Sequence, residues 1–450
     1  MKKFVSILLA ITLVMSLAAC SGSQSAAPEA AAATEAASEA AQQPALKSIE
    51  PISVAPLAES KTLANAKDVT VGFIFLHDEN STYDRNFMDA AKAACEAMGV
   101  NYLEKVGIPE TNECYEAAAD LVDRGCDLVF ADSFGHESFM VQAAREFPNV
   151  EFSHATGTMA HTENLPNFHN AFANIYEGRY LAGITAGMKL NEMIADGKIT
   201  ADQAKMGYVG AFTYAEVISG YTSFYLGAKS VCPSVTMDVQ FTGSWYDEAL
   251  EKEAAQTLLG RNCVLISQHA DSMGAPTACE TAGVPNVSYN GSTLSACPNT
   301  FLVSSRINWQ PYFEYIIWCV ANKQPIVNDW CGTLETGSVV LTDINEPVCA
   351  AGTKEALAEA EAKLKAGEIK VFDTSTFTVS NIDPETFTNI NATTDASGKV
   401  VSYGGDVDTD AAYMADTEVV KDGAFQESAY RSAPYFDIKI DGITLLNTAM

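Results

Sequence analysis

From residue 69 onward the chain alternates short, almost purely apolar runs with longer stretches in which apolar positions return every three or four residues. The runs VTVGFIFL (69–76), NYLEKVG (101–107), DLVFADS (127–133), VEFSHATG (150–157) and NFHNAFA (167–173) predict strands. Between them, FMDAAKAACEAMG and NECYEAAADLVDRG follow the helical period and close on glycine, a residue suited to the left-handed end of a helix. Apolar strands separated by amphipathic helices predict parallel βαβ units with helices on both faces of the sheet. After a helical stretch around YEGRYLAGITAGMKLNEMI the rhythm restarts with KMGYVGAF (205–212), TMDVQFTG (236–243), CVLISQH (263–269), VPNVSYN (284–290) and TFLVSSRIN (300–308). The fold class is therefore α/β, with two successive lobes of similar plan, each a parallel sheet flanked by helices. In such sheets ligands sit beyond the carboxyl ends of the strands. Those ends are dense in polar and aromatic residues here: His77 and Asp78, Ser133 and Phe134, Phe212, Trp245, Gln268 and His269, Tyr289 and Asn290, Asn308 and Trp309.

The first 66 residues follow a different pattern. Lys2 and Lys3 precede an apolar stretch, Phe4 to Ala19, that is too short to span a bilayer as a stable helix, and small residues lead into Cys20. This describes an export signal over residues 1–19. Leu17-Ala18-Ala19-Cys20 resembles the bacterial lipobox, in which cleavage leaves the cysteine as a lipid-bearing first residue. From Ser21 the Ala/Glu/Ser/Gln/Pro composition offers too little apolar surface to offset the entropy of ordering, so residues 20–66 are expected to be a lipid-anchored tether.

The chain has 450 residues, more than one hydrophobic core usually serves. Its formal net charge of −30 would repel nucleic acid and anionic lipid surfaces. Ten of the eleven cysteines lie beyond Cys20, irregularly spaced and several within apolar patterns. They read mostly as buried free thiols, with room for one or two disulfides. No C-x-x-C or His/Cys cluster at zinc spacing occurs. Asp78, Asn80, Thr82, Asp84 and Asp89 imitate a calcium loop, but Tyr83 stands where that loop needs glycine, so no metal and no cofactor are expected. A nucleophile elbow, a zincin motif, a Walker loop and a dinucleotide fingerprint are all missing from suitable contexts, so the chain reads as a non-enzyme.

The blocks NSTYDRN, DRGCDLVFADSFG, AREFPNVEFSHATG, NIYEGRYLAGITAG, MGYVGAF, TGSWYDEALEKEAAQTLL, ISQHADS and INWQPYF follow one another in an order that resembles the basic membrane protein family of substrate-binding lipoproteins, which includes the purine nucleoside receptor type. The likeness runs from about Val69 to about Phe372, beyond which a tail insertion near 390–425 precedes the hydrophobic close YFDIKIDGITLL. It implies the type I periplasmic binding protein architecture: two Rossmann-like lobes joined by three crossovers, with a cleft between them that closes on a ligand. The lobes are expected to comprise 67–173 plus 306–335 and 174–305 plus 336–450. The implied partners are a purine-type small molecule and the permease and ATPase subunits of an ABC importer, with the protein a monomer anchored by lipid outside the membrane.

By the same resemblance Tyr83 stacks on the ligand base and Asp84 or Asn86 reads its edge, although Tyr83 would equally suit a loop packed on the lobe. Trp245 is placed to supply the opposing face of an aromatic sandwich or to join the core, and Phe212 is a lining or core residue. Ser133 and Phe134 flank the third strand's end. Gln268, His269 and Asp271 match a block that lines the cleft, with His269 a hydrogen-bonding or satisfied loop residue rather than a metal ligand. Family members usually carry aspartate where this chain has Asn290; in nucleoside receptors that aspartate takes the ribose hydroxyls. Asparagine there puts a ribose-bearing ligand in doubt and leaves room for a free nucleobase. Asn308 and Trp309 complete the implied lining, with Asn308 a base-edge reader or a helix cap. Three other readings stay open: a riboflavin-like or sugar ligand, a sensory or adhesion lipoprotein without transport, and a nucleoside hydrolase using Asp78, Asp84 and Asp271.

Overall fold

The computed structural model describes Leu63, residues 65–407, Ala415 and residues 417–449. The export signal, Cys20 and nearly all of the tether, as well as parts of the tail insertion, lie outside the described residues. All described residues fall within one compact unit.

Two sheets carry the fold. The first combines β1 (Thr70–Phe75), β2 (Asn101–Val106), β3 (Leu128–Ala131), β4 (Glu151–Ala155), β5 (Phe168–Ala173) and a late strand, β11 (Asp329–Gly332), in the order β11-β5-β4-β3-β1-β2. All its pairings are parallel. The second takes β6 (Lys205–Gly210), β7 (Thr236–Phe241), β8 (Leu265–Gln268), β9 (Asn286–Tyr289), β10 (Phe301–Ile307) and β12 (Val339–Leu341) in the order β12-β10-β9-β8-β6-β7, with Ile443–Leu445 added beside β7. Only β12 runs antiparallel in it. The chain therefore crosses between sheets three times: after β5, between β10 and β11, and between β11 and β12.

The helices are α1 (Thr82–Met98), α2 (Asn112–Asp123), α3 (Glu137–Glu146), α4 (Ala160–Glu163), α5 (Ile175–Ala195), α6 (Ala215–Val231), α7 (Glu248–Gly260), α8 (Gly274–Ala282), α9 (Gln310–Asn322) and α10 (Thr353–Lys365). Local chemistry sets the ends of α1. Ser81 accepts the Asp84 amide as its N-cap, and Gly99, at φ 73°, closes the helix by donating its N–H to the Cys95 carbonyl. Strands β3 and β5 are buried at every position, as sheet interiors demand, whereas no position of the edge strand β2 is fully buried and it carries Glu104 and Lys105.

Helices α5 and α6 touch along their backbones. A Cβ on Gly183 would lie 2.1 Å from the Phe224 carbonyl oxygen, and one on Gly227 would lie 2.0 Å from that of Tyr180. Helix α9, though it follows the second sheet in sequence, returns to the first lobe, where Phe313 meets Phe73 edge-on at 5.2 Å. The tail folds on itself with Phe372 stacked on Phe436 at 4.2 Å. It then reaches the first sheet, where the Ser432 amide donates to Asp329 Oδ2 of β11 at 2.7 Å. The ten described cysteines are all buried free thiols; none of the disulfides for which the spacing left room is formed among them.

Candidate functional site

A cavity lies between the two lobes. It is lined by Leu76, His77, Tyr83, Asp84, Ser133, Phe134 and Thr156 from the first lobe and by Glu216, Trp245, His269, Asp271 and Tyr289 from the second. Leu76, Ser133 and Thr156 follow β1, β3 and β4, while His269 follows β8 and Tyr289 ends β9, so the cavity lies where strand carboxyl ends face one another. The lobes touch at its rim. The Thr82 amide and hydroxyl both donate to the Asp271 carbonyl, at 3.0 and 3.1 Å, and the rings of Phe134 and Tyr214 lie 5.4 Å apart.

The first turn of α1 positions Tyr83 and Asp84. Tyr83 donates its hydroxyl to the Asp132 carbonyl at 2.7 Å and packs on Phe87, which holds the ring against the wall. Asp84 is fully buried and accepts from the His77 amide at 2.7 Å, the Ser81 hydroxyl at 2.6 Å and His77 Nδ1 at 3.2 Å. Burial alone would raise its pKa, but these donors outweigh it and hold the carboxyl below its ordinary value. Asp132 behaves oppositely. Burial first, then the neighbouring Asp84 charge, drive its pKa well above the ordinary range, which favours the protonated form of Asp132 beside the Asp84 carboxylate.

On the second lobe, burial and then the Arg179 charge lower the His269 pKa to about 4. The ring is neutral at neutral pH. Arg179 donates to Nδ1 at 3.0 Å, which assigns the hydrogen to Nε2, facing Glu216 Oε1 at 3.4 Å. Burial, followed by the charges of Glu251, Asp84 and Glu216, raises the Asp271 pKa well above the carboxylate range. Trp245 is backed by Phe212 edge-on at 5.0 Å, and Phe212 stacks on Tyr214 at 5.3 Å. Among the described residues no lysine or arginine lines the cavity, and no group of three or more His, Cys, Asp or Glu could hold a metal ion.

Of the residues singled out from sequence, the cavity brings together Tyr83, Asp84, Ser133, Phe134, Trp245, His269 and Asp271. The other six stand behind its walls. Asn86 donates to the Ile307 carbonyl at 2.6 Å, and Asn308 donates to the Gly337 carbonyl at 3.1 Å, so both brace crossovers. Trp309 is 1% exposed and stacks on Phe87 at 4.4 Å in the core. Gln268 is fully buried and supplies its carbonyl to Arg179. Phe212 supports Trp245, and Asn290 sits at φ 61°, buried, with its amide nitrogen Nδ2 unpartnered.

Sequence reasoning did not single out Leu76, Thr156 or Glu216, and it noted His77 and Tyr289 only as strand-end residues. Thr156 takes φ 64°, an uncommon conformation for a β-branched residue and one that marks functional walls. The SHATG close of the fourth predicted strand run was the available signal for it. Glu216 looked like any acidic residue in a helix's first turn.

Two α/β lobes joined by three crossovers around an interlobe cavity are the architecture of the periplasmic solute-binding proteins. The family model described as Bmp, ABC transporter substrate-binding protein PnrA-like, matches residues 74–375, and the chain belongs to that family. A purine-binding protein of Brucella abortus (strain 2308) is 30% identical over 310 residues, covering 67% of this chain and 82% of its own length. A putative ABC transporter glucose-binding protein of Haloferax volcanii is 28% identical over 280 residues, covering 62% of this chain and 67% of its own length. Among solved structures, an ABC transporter solute-binding protein from Aeropyrum pernix K1 superposes with TM-score 0.58 at 18% identity, over 71% of this chain and 95% of that one. Proteins of this class work outside the cytoplasm, bind small molecules and partner with permease and ATPase subunits.

Proposed function

We propose that the protein is a lipid-anchored receptor of an ABC importer that closes on a purine nucleobase or nucleoside. Cys20 carries the lipid and residues 20–66 form the tether. The lobes, 67–173 plus 306–335 and 174–305 plus 336–450, swing about the crossovers, and the closed monomer is what the permease reads. It performs no covalent chemistry. One observation carries the ligand reading: Tyr83 of one lobe and Trp245 of the other line the same cavity with the carboxyl groups of Asp84, Glu216 and Asp271 and without a lysine or arginine. Aromatic side chains from both lobes suit a flat ring, and acceptor groups suit its N–H and O–H donors, while an anionic cargo would find no counter-charge in the lining. The name of the Brucella relative supports the same ligand class. The Haloferax relative's name favours a second reading, a sugar, whose hydroxyls the same carboxyl groups would accept.

The test is to denature protein purified from a native-like host and identify the released small molecule by mass spectrometry, then to titrate purines calorimetrically. Tyr83→Ala and Trp245→Ala are each expected to weaken purine binding by about 1 to 3 kcal/mol, the usual loss for a stacking platform. Affinities within threefold of the parent for both variants would end the sandwich reading.

A further inference from the structure

We propose that the Tyr289 hydroxyl is a specificity-determining donor of the cavity, giving its hydrogen to a ring nitrogen or carbonyl oxygen of the bound heterocycle. The assignment rests on the purine reading above and narrows it to ligands that present an acceptor at that wall.

The argument begins with partners. Tyr83, Asp84, Ser133 and His269 each have hydrogen bonds within the protein. Tyr289 is 1% exposed, lines the cavity, and its hydroxyl has no partner. It is the one residue of the lining with such an orphaned buried polar atom, among the described residues. A buried hydroxyl left unpaired forfeits its hydration without return, and one that lines a cavity is placed for a ligand to complete it. The hydroxyl lies within electrostatic reach of Glu216 and Asp271 on its own lobe and of Tyr83 on the other. All three line the cavity.

The ring is held in place. Arg179, 1% exposed, puts its guanidinium carbon 3.3 Å from the Tyr289 ring centroid. That guanidinium is itself pinned by the Gln268 carbonyl and His269 Nδ1, both at 3.0 Å. A cation against one ring face draws electron density from the phenol and makes its O–H a better donor. The carboxylate of Asp84 can only accept, so a donor at Tyr289 gives the site a complementary reading of the ligand.

Tyr289→Phe separates this role from a structural one, because it removes the hydroxyl and nothing else. Its urea midpoint without added ligand is compared with that of the parent, and both proteins are titrated with adenine, guanine, adenosine, guanosine, inosine, riboflavin and D-glucose. The expected result is an unchanged or raised midpoint together with about a tenfold loss of affinity for the best purine, equivalent to about 1.4 kcal/mol. A lowered midpoint would show that the hydroxyl already has a partner in the fold and would overturn the assignment, as would affinities within twofold of the parent for every probe. If no purine binds the parent but riboflavin or D-glucose does, the purine reading falls alone, and Tyr289 is judged by the same tenfold criterion on that probe. Absence of binding by all seven overturns both.

Discussion

Asp84 and Asp132 are chemically identical side chains that the fold sets to different charges. Three donors around Asp84 favour its negative charge, and burial, followed by that charge, favours the protonated form of Asp132. Replacing each by its amide should therefore give opposite results in urea unfolding at pH 7. Asp132→Asn substitutes one neutral group for another and is expected to leave stability unchanged or raised, whereas Asp84→Asn loses charge-assisted acceptors and should cost about 1.5 to 3 kcal/mol. Equal losses would refute the uneven sharing of the proton. How far the site was legible in sequence divides along the same line of local against nonlocal information. Trp245, His269 and Tyr289 stood out because polar or aromatic residues clustered just past apolar runs, a local signal, whereas Tyr83 and Asp84 were reached through the resemblance of the NSTYDRN block to the family. Glu216 and the supporting place of Asn86 depend on which elements the fold brings together, and the Asn86 contact with Ile307 spans 221 positions of chain.

At the scale of elements, the α5–α6 pair sets the tightest tolerance. Each glycine faces a carbonyl oxygen of the other helix at about 2 Å from where a methyl would sit, and that oxygen belongs to backbone that cannot swing aside. Gly183→Ala and Gly227→Ala are each expected to destabilise the fold by roughly 3 kcal/mol, at the upper end of overpacking costs, and a thermal melt within a degree of the parent would contradict the close approach. The same two helices show what a pattern of apolar positions conveys and what it omits. YEGRYLAGITAGMKLNEMI announced a helix through its period, but the choice of α6 as its partner is written in the matching of Gly183 and Gly187 to Phe224 and Ala228, which no period reveals. Eight of the ten predicted strand runs start within one residue of the strands they become, and two, CVLISQH and VPNVSYN, begin two residues late, at Leu265 and Asn286. The extra strand Ile443–Leu445 escaped notice because three residues beside β7 gain their structure from the sheet they join.

At the scale of the whole molecule, the tail that lies beyond the family match ties distant parts together. Ser432 donates to Asp329 of the first sheet, while Ile443–Leu445 extends the second, so one segment reaches both lobes. Within it Glu427 is buried, with Oε1 unpartnered, and burial pushes its pKa to about 8 from an ordinary 4.5. Glu177 and Glu251 are raised by burial to about 7. A carboxyl whose folded pKa exceeds its unfolded value binds its proton more tightly when folded. Its contribution is complete below about pH 4.5 and is lost as pH climbs through 7 to 8. Unfolding free energy should accordingly decline between pH 5 and 8. Glu427→Gln should flatten that decline and be the more stable protein at pH 8, by at least the ~1.4 kcal/mol of one pKa unit. A variant whose pH profile runs parallel to the parent's would remove Glu427 from the account.

The ten buried sulfhydryls give the molecule a gauge of its own coherence. Each lies in the interior, and burial holds most of them well above the acidity at which a thiol reacts. Spread over both lobes and all three crossovers' neighbourhoods, they answer a thiol-seeking reagent only where the chain has come apart around them, so the order in which they are tagged records which part of the protein lets go first.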